Sequence, residues 1–215
     1  MNHTREGNQT QNVTHRLILK LRRQHPKAYT ELAFSNPYEL LVATILSAQC
    51  TDKQVNSITP LFFLRYPDAP NLAQAAQEEI EHLVKPTGFF RSKSRFLIGM
   101  ASAIVNRHNG LVPQQMEALV RLPGVGRKTA NVVLGHGFGI PGLPVDRHVL
   151  RVSIRLGLTR SQNPIVVEKE LCEQLPRKLW TASSDTLIFH GRRICKPQPL
   201  CSDCGVAGSC PSAKL

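Results

Sequence analysis

The sequence predicts an all-α protein, and three observations carry that expectation. Apolar residues recur at helical spacing along most of the chain. Strand signals are scarce. Gly and Pro breaks at Lys85-Pro86-Thr87-Gly88, Asn109-Gly110 and Gly139-Ile140-Pro141-Gly142 cut the chain into segments of helix length, joined by short loops.

The elements follow in order. Residues 1–14 are polar and are expected to form a disordered tail. Residues 15–23 alternate Leu and Ile with Arg and Lys and read as a surface helix. Ser35-Asn36-Pro37 caps the next helix, with Pro near its first turn, and residues 38–48 are apolar enough to be buried. Thr51 or Asp52 caps a helix over 53–66. Further helices are expected over 72–76, 78–84, 92–107, 114–122, 127–138, 146–156, 164–174 and 179–195, with no internal repeat and no low-complexity tract.

Composition narrows the function. The chain has 215 residues, 41% of them hydrophobic, enough for a sizeable core in one domain or two small lobes. Its net charge is +12 and its pI about 9.9, which points to a polyanionic partner, most simply nucleic acid. No run approaches the roughly 18 apolar residues of a membrane span. The N-terminus lacks the apolar core of a signal peptide. Three Asn-x-Thr matches at Asn2, Asn8 and Asn12 therefore carry no meaning. Six cysteines, four of them crowded near one end, do not resemble a secreted disulfide framework. A reducing, cytosolic compartment is expected.

The most informative stretch is Leu122-Pro123-Gly124-Val125-Gly126-Arg127-Lys128-Thr129. A short apolar helix runs into Pro-Gly-Val-Gly, and a second helix starts at about Arg127. Such a hairpin exposes backbone N–H groups at a helix N-terminus, a ready site for phosphate. An ordinary αα-turn also uses glycine. The second helix, however, opens Arg-Lys, where the helix dipole favours anions, and a bound phosphate would supply the compensating charge. The dipole, Arg127 and Arg121 together disfavour an ammonium at Lys128 and raise the share of neutral, nucleophilic amine. Lys128 then reads either as a phosphate contact or as a nucleophile that attacks a sugar C1′ and forms a Schiff base.

Asp146 follows an extended Pro144-Val145 and opens a helix, so it reads as an N-cap. It also reads as a carboxylate that accepts a proton or stabilises positive charge developing on a sugar. The two roles are compatible. His148 and Arg151 stand one helical turn apart, and His148 is either a backbone contact or a packed structural histidine. Cys195, Cys201, Cys204 and Cys210 fall within sixteen residues. Four close thiols in a reducing compartment are most simply a metal site. Only one Cys-x-x-Cys knuckle is present, so an iron–sulfur cluster fits at least as well as zinc. Cys172 reads as core, and Cys50, in the polar turn Ser47-Ala48-Gln49-Cys50-Thr51-Asp52, stays open.

At this point the chain resembles the endonuclease III family of helix-hairpin-helix DNA glycosylase/AP lyases, from about His15 to Cys210. The motifs are Glu39-Leu40-Leu41 through Asp52, Gly88-Phe89-Phe90-Arg91-Ser92-Lys93, Leu122 to Leu134, Val145-Asp146 with His148, and His190-Gly191-Arg192 ahead of the cysteines. The resemblance implies two lobes: a six-helix barrel over 30–138, with the helix-hairpin-helix at 116–138, and a second lobe from 15–29 together with 139–215. The cysteine loop, 195–210, would hold a [4Fe–4S] cluster. Lys128 is implied as the nucleophile and Asp146 as the essential carboxylate. Gln49 matches the residue that fills the gap left by an extruded base, and Phe89 the wedge that intercalates opposite. Leu122, Gly124, Val125, Gly126, Arg127, Thr129 and His148 complete the implied DNA contacts. The implied partner is double-stranded DNA with a damaged base, expected to be an oxidised pyrimidine, or an abasic site. The implied location is the cytoplasm, at the nucleoid, and a monomer is expected.

Three departures from the family pattern stand out. The first cysteine gap is five residues where six is usual, position 147 is Arg where Thr is usual, and Pro86 stiffens the loop ahead of Phe89. Other readings are a monofunctional mismatch glycosylase of the same fold and a non-enzymatic DNA-binding iron–sulfur protein. An adenine-mismatch enzyme would lack Lys128 and carry a further domain for which the residues after Cys210 leave no room. Pure binding needs neither the amine nor the carboxylate.

Overall fold

A computed structural model of the chain describes residues 3–214, with side chains from residue 13 onward. Among the described residues all regular structure is helical. The helices are α1 His3–Gln24, α2 Pro37–Leu46, α3 Asp52–Arg65, α4 Ala69–Ala73, α5 Gln77–Val84, α6 Phe90–His108, α7 Met116–Leu119, α8 Arg127–Val132, α9 Arg147–Arg155, α10 Pro164–Gln174 and α11 Trp180–Arg193. The chain divides into two compact units, one of Glu31–Ile140 and one of Met1–Thr30 with Pro141–Leu215.

The unit over 31–140 is built around α2. Leu40, Leu41, Val42, Ala43 and Leu46 are all fully buried, so this helix is apolar all round and is wrapped by its neighbours. Val55 and Phe62 of α3, Leu72 of α4, Ile80 and Val84 of α5, and Leu97, Met100 and Ile104 of α6 close on it. Side chains define the starts of these helices. Asn36 accepts the Glu39 N–H at 2.9 Å, and Glu39 reaches back to the Ser35 N–H at 2.6 Å, a reciprocal arrangement that satisfies two orphan donors. Thr51 and Asp68 cap α3 and α4 by accepting the Gln54 and Asn71 N–H groups.

The other unit packs Leu17, Ile18 and Leu21 of α1 against Val149 and Val152 of α9, Val167 and Leu171 of α10, and Leu187 of α11. Asn163 caps α10, with Pro164 in its first turn. Helices α9 and α11 meet at Gly191. A Cβ there would lie 2.9 Å from the His148 Cβ and 3.1 Å from the Val152 Cγ2, so only glycine permits this approach.

Three elements differ from the sequence expectation. Residues 1–14 were expected to be a tail, yet α1 already begins at His3; Met1 and Asn2 lie outside the described residues. Thr14 is buried, and its hydroxyl donates to Gln174 Oε1 at 2.6 Å, a tie to α10 that helical periodicity does not report. The segment expected to be one helix over 127–138 changes pitch, and α8 passes into a π-helical turn at Val133–Gly137. Gly137 lies against Pro37 and Leu40 there, and its missing side chain admits the wider turn. The helix expected over 114–122 shrinks to α7, because its end tightens into turns in which the Arg121 and Leu122 N–H groups donate to the Ala118 and Leu119 carbonyls at 3.3 and 3.0 Å.

Gly191→Ala would force α9 and α11 apart and is expected to lower stability by about 1–3 kcal/mol. A denaturant titration reads it, and an unchanged midpoint would show that the two helices do not need the close approach.

Candidate functional site

The hairpin is held from below by α6. Gly124 has φ +76°, and a Cβ there would sit 2.7 Å from the Phe96 Cβ; Gly99 in turn faces the Pro123 ring. Leu122 and Val125 were expected among the DNA-binding residues, but both are buried in the core of this unit, so only their backbone is available to a ligand. Their burial anchors the turn. Gly126 is the N-cap of α8 and supplies no side-chain acceptor, which leaves the first N–H groups of that helix without a capping side chain. A Cβ at Gly126 would meet open space, so what glycine supplies here is bare backbone. Arg127 and Lys128 are exposed in the first turn of α8, and Thr129 is half-buried.

Gln49 and Phe89 lie in the same unit and share an unusual trait. Both are non-glycine residues in the left-handed region, with φ of 52° and 48°, and both are exposed, Phe89 to 63%. Such backbone is strained for a side chain of this size and clusters at functional positions. The Phe89 ring is therefore not part of the core. Gln49 follows the end of α2, and Phe89 precedes α6 after Gly88, itself at φ +69°.

Asp146 lies in the other unit and is the N-cap of α9. Its Oδ1 accepts the His148 N–H at 2.7 Å and the Val149 N–H at 2.8 Å, so the cap engages one of the two carboxylate oxygens. His148 is half-buried against Gly191, and its Nδ1 lies 3.1 Å from Arg151 Nη2. Burial pushes its pKa below the usual histidine value; Asp146 pulls it back up, and Arg151, Arg147 and Arg192 add to the fall. Arg151 is committed to structure: its guanidinium donates to the Gly191 and Cys195 carbonyls at 2.9 and 3.0 Å.

Cys195, Cys201, Cys204 and Cys210 are free thiols that line one pocket together with Arg155, Leu156 and His190. Among the described residues no three His, Cys, Asp or Glu side chains are grouped so as to hold a single metal ion. Burial raises the Cys204 pKa, a backbone bond from Val206 lowers it, and the other three cysteines raise it further. Arg155 Nη1 reaches the Cys195 sulfur at 3.5 Å, and the Lys214 N–H reaches that of Cys201 at 3.4 Å. His190, 1% exposed, lies between His25 Nε2 at 2.9 Å and the Cys204 sulfur at 3.7 Å. Burial and then His25 lower its pKa to about 4, so it stands neutral beside the thiols. Cys172 and Cys50 are half-buried against the two cores.

Sequence reasoning missed the structural part of Arg155 and the burial of Lys93. The signal for Lys93 was present: it precedes Leu97, Met100, Ala101 and Ile104 on the buried stripe of α6.

Comparison with known proteins gives the family. The profile of the HhH-GPD superfamily of base excision DNA repair proteins matches residues 42–177. The endonuclease III of Synechocystis sp. is 50% identical over 200 residues, covering 92% of this chain and 91% of its own. That of Bacillus subtilis is 42% identical over 187 residues, 86% of this chain and 85% of its own. A solved structure of a trapped endonuclease III–DNA covalent intermediate superposes with a TM-score of 0.90 at 38% identity, over 95% of this chain and 96% of that one. The chain belongs to the endonuclease III family, within the HhH-GPD superfamily.

Proposed function

We propose that the protein is a base-excision-repair enzyme, a DNA N-glycosylase with AP lyase activity. It removes damaged, expectedly oxidised, pyrimidines from double-stranded DNA and nicks the strand. The observation that carries this reading is Lys128, an exposed amine in the first turn of a helix that opens from a glycine hairpin with uncapped N–H groups. Membership of a family in which an endonuclease III has been trapped covalently on DNA supports it. The same substrate supports a cytoplasmic location at the nucleoid. No helix among the described residues is long and apolar enough to cross a membrane.

The chemistry follows from the residues. Backbone N–H groups of Gly124, Gly126 and the first turn of α8 hold phosphate, with Arg127 and Thr129 beside them. Phe89 enters the stack and Gln49 fills the space of the extruded base. The Lys128 amine attacks C1′; the C1′–N bond to the base breaks, and the base leaves with that electron pair and a proton. The Asp146 carboxylate stabilises the positive charge that develops on the sugar and accepts the proton that the amine sheds. The C1′–O4′ bond then breaks, O4′ takes up a proton as the ring opens, and the Schiff base forms; loss of a C2′ proton from it expels the 3′ phosphate, and water then releases Lys128.

The four cysteines are read as ligands of a [4Fe–4S] cluster. In a cluster each thiolate binds its own iron, so the sulfurs stand farther apart than around one zinc ion. Four thiols around one pocket, with a single Cys-x-x-Cys knuckle, fit a cluster at least as well as zinc. Such a group would supply structural order to the loop that holds it and is not needed for the steps above. Arg192, Arg193 and Lys196 lie beside that loop as candidates for phosphate contact.

Borohydride trapping tests the mechanism. A duplex with an abasic site or an oxidised pyrimidine is expected to give a covalent adduct that Lys128→Ala abolishes. An adduct that survives in Lys128→Ala, or binding with no adduct at all, leaves a monofunctional glycosylase or a DNA-binding protein instead. Asp146→Asn retains a good N-cap and is expected to melt like the wild type while losing about 10²–10³-fold in rate. Equal rates would reduce Asp146 to its cap. Purified anaerobically, the protein is expected to contain about four irons and four sulfides per chain, the composition of a [4Fe–4S] centre, with Cys204→Ser lowering both. One tightly bound zinc would overturn the cluster.

A further inference from the structure

Lys93 is 3% exposed, in the first turns of α6. Its Nζ donates to the Leu46 carbonyl at 2.7 Å and to the Thr87 carbonyl at 2.8 Å. Leu46 is the last residue of α2, and its carbonyl is one of the orphan acceptors that a helix end leaves. Thr87 ends the 3₁₀ turn Lys85–Thr87. A cation suits both, because carbonyls at helix ends carry the negative end of the dipole. Lys93 also grips the following loop through its backbone, since its N–H donates to the Phe89 carbonyl at 3.0 Å. Its two side-chain partners stand three residues before Gln49 and two before Phe89.

Packing alone does not explain an ammonium at this position. A methionine would fill similar space with no charge to desolvate. Burial disfavours the charged form and lowers the Lys93 pKa, with Cys50 opposing. The surroundings hold the charge through two carbonyls from separate segments, and those are the segments that present Gln49 and Phe89, two exposed side chains on strained backbone.

We infer that Lys93 is a positioning residue whose ammonium ties the exit of α2 to the Phe89 loop and so sets the spacing of Gln49 and Phe89. The inference rests on the glycosylase reading, in which those two side chains replace the flipped base and its lost stacking. Lys93 touches neither DNA nor Lys128 in this role; it acts through the two residues it spaces.

The test compares two substrates under single turnover. One is a duplex with thymine glycol, whose base must be extruded. The other is an abasic site in a single-stranded oligonucleotide, where there is no stack to open and no partner base to hold apart. Lys93→Met is expected to slow base release from the duplex at least about 10-fold more than it slows borohydride trapping on the single strand. Because Lys93 acts through Gln49 and Phe89, adding Lys93→Met to a Gln49→Ala/Phe89→Ala variant is expected to cost no more than about 2-fold further on the duplex. Equal losses on the two substrates, or a full further loss in the double variant, would overturn the inference and leave Lys93 as a fold-stabilising lysine. Should Lys93→Met not fold, Lys93→Arg keeps a cation and its donors on a wider head; the same split is expected from it, and a uniform loss overturns the inference equally. A wild type that traps neither substrate sinks the lyase reading and this inference with it. A wild type that traps both, while the variants lose both alike, sinks this inference alone.

Discussion

An α-helix leaves unbonded N–H groups at one end and unbonded carbonyls at the other, and in this protein the functional side chains are distributed according to how those ends are satisfied. Five starts are closed by a side chain: Asn36, Thr51, Asp68, Asp146 and Asn163 each accept from a first-turn N–H, whereas α5, α6, α7 and α11 have no such cap. The start of α8 is left to Gly126, which supplies none. On the reading proposed above, this bare glycine start is the one that accepts a phosphate. It also brings Lys128 into a first turn whose positive dipole a folded protein would ordinarily match with an acid.

How far this was legible in the sequence depends on which physical signal carries each feature. Caps are local, so Asn36 and Asp146 could be read directly and Thr51 as one of two alternatives, and α10 has the bounds expected for it. The all-α class followed from periodicity for the same reason. The π-helical turn after α8 did not, because it depends on Gly137 lying against Pro37, a contact between segments about a hundred residues apart. Nor did the left-handed backbone at Gln49 and Phe89, since neither residue type favours it and only the surrounding fold imposes it. Lys93 shows a third kind of failure. Its place on the apolar stripe of α6 was visible, but composition treats lysine as surface, and the two carbonyls that make its burial tolerable come from residues 47 and 6 positions away.

The shortened cysteine gap has a structural account. Arg155 Nη1 donates to the Lys196 carbonyl at 2.6 Å and Nη2 to the Pro197 carbonyl at 2.9 Å, while its own carbonyl accepts from the Cys210 thiol. One arginine at the end of α9 thus fixes the first cysteine loop and meets the last cysteine. Pro197 and Pro199 restrict what remains of the loop. A five-residue gap held in this way needs less freedom than a longer one, because its path is set by the guanidinium rather than by its own flexibility.

Strain is concentrated where duplex DNA would have to open. A residue held at positive φ without being glycine costs about 1–3 kcal/mol, and among the described non-glycine residues three adopt it: Gln49, Phe89 and Asn109. Asn109 ends α6, a position where asparagine is well suited to left-handed backbone. Gln49 and Phe89 have no such excuse in residue type, and both face solvent, where no packing of their own side chains offsets the cost. The compensation must therefore come from the backbone on either side of them. It is found in the buried carbonyls of Leu46 and Thr87, each closed by the Lys93 ammonium, and in the Phe89 carbonyl, closed by the N–H groups of Ser92 and Lys93. Two exposed side chains whose backbone is already fixed before any ligand arrives would enter a base stack without a backbone ordering cost, which lowers the entropic opposition to intercalation.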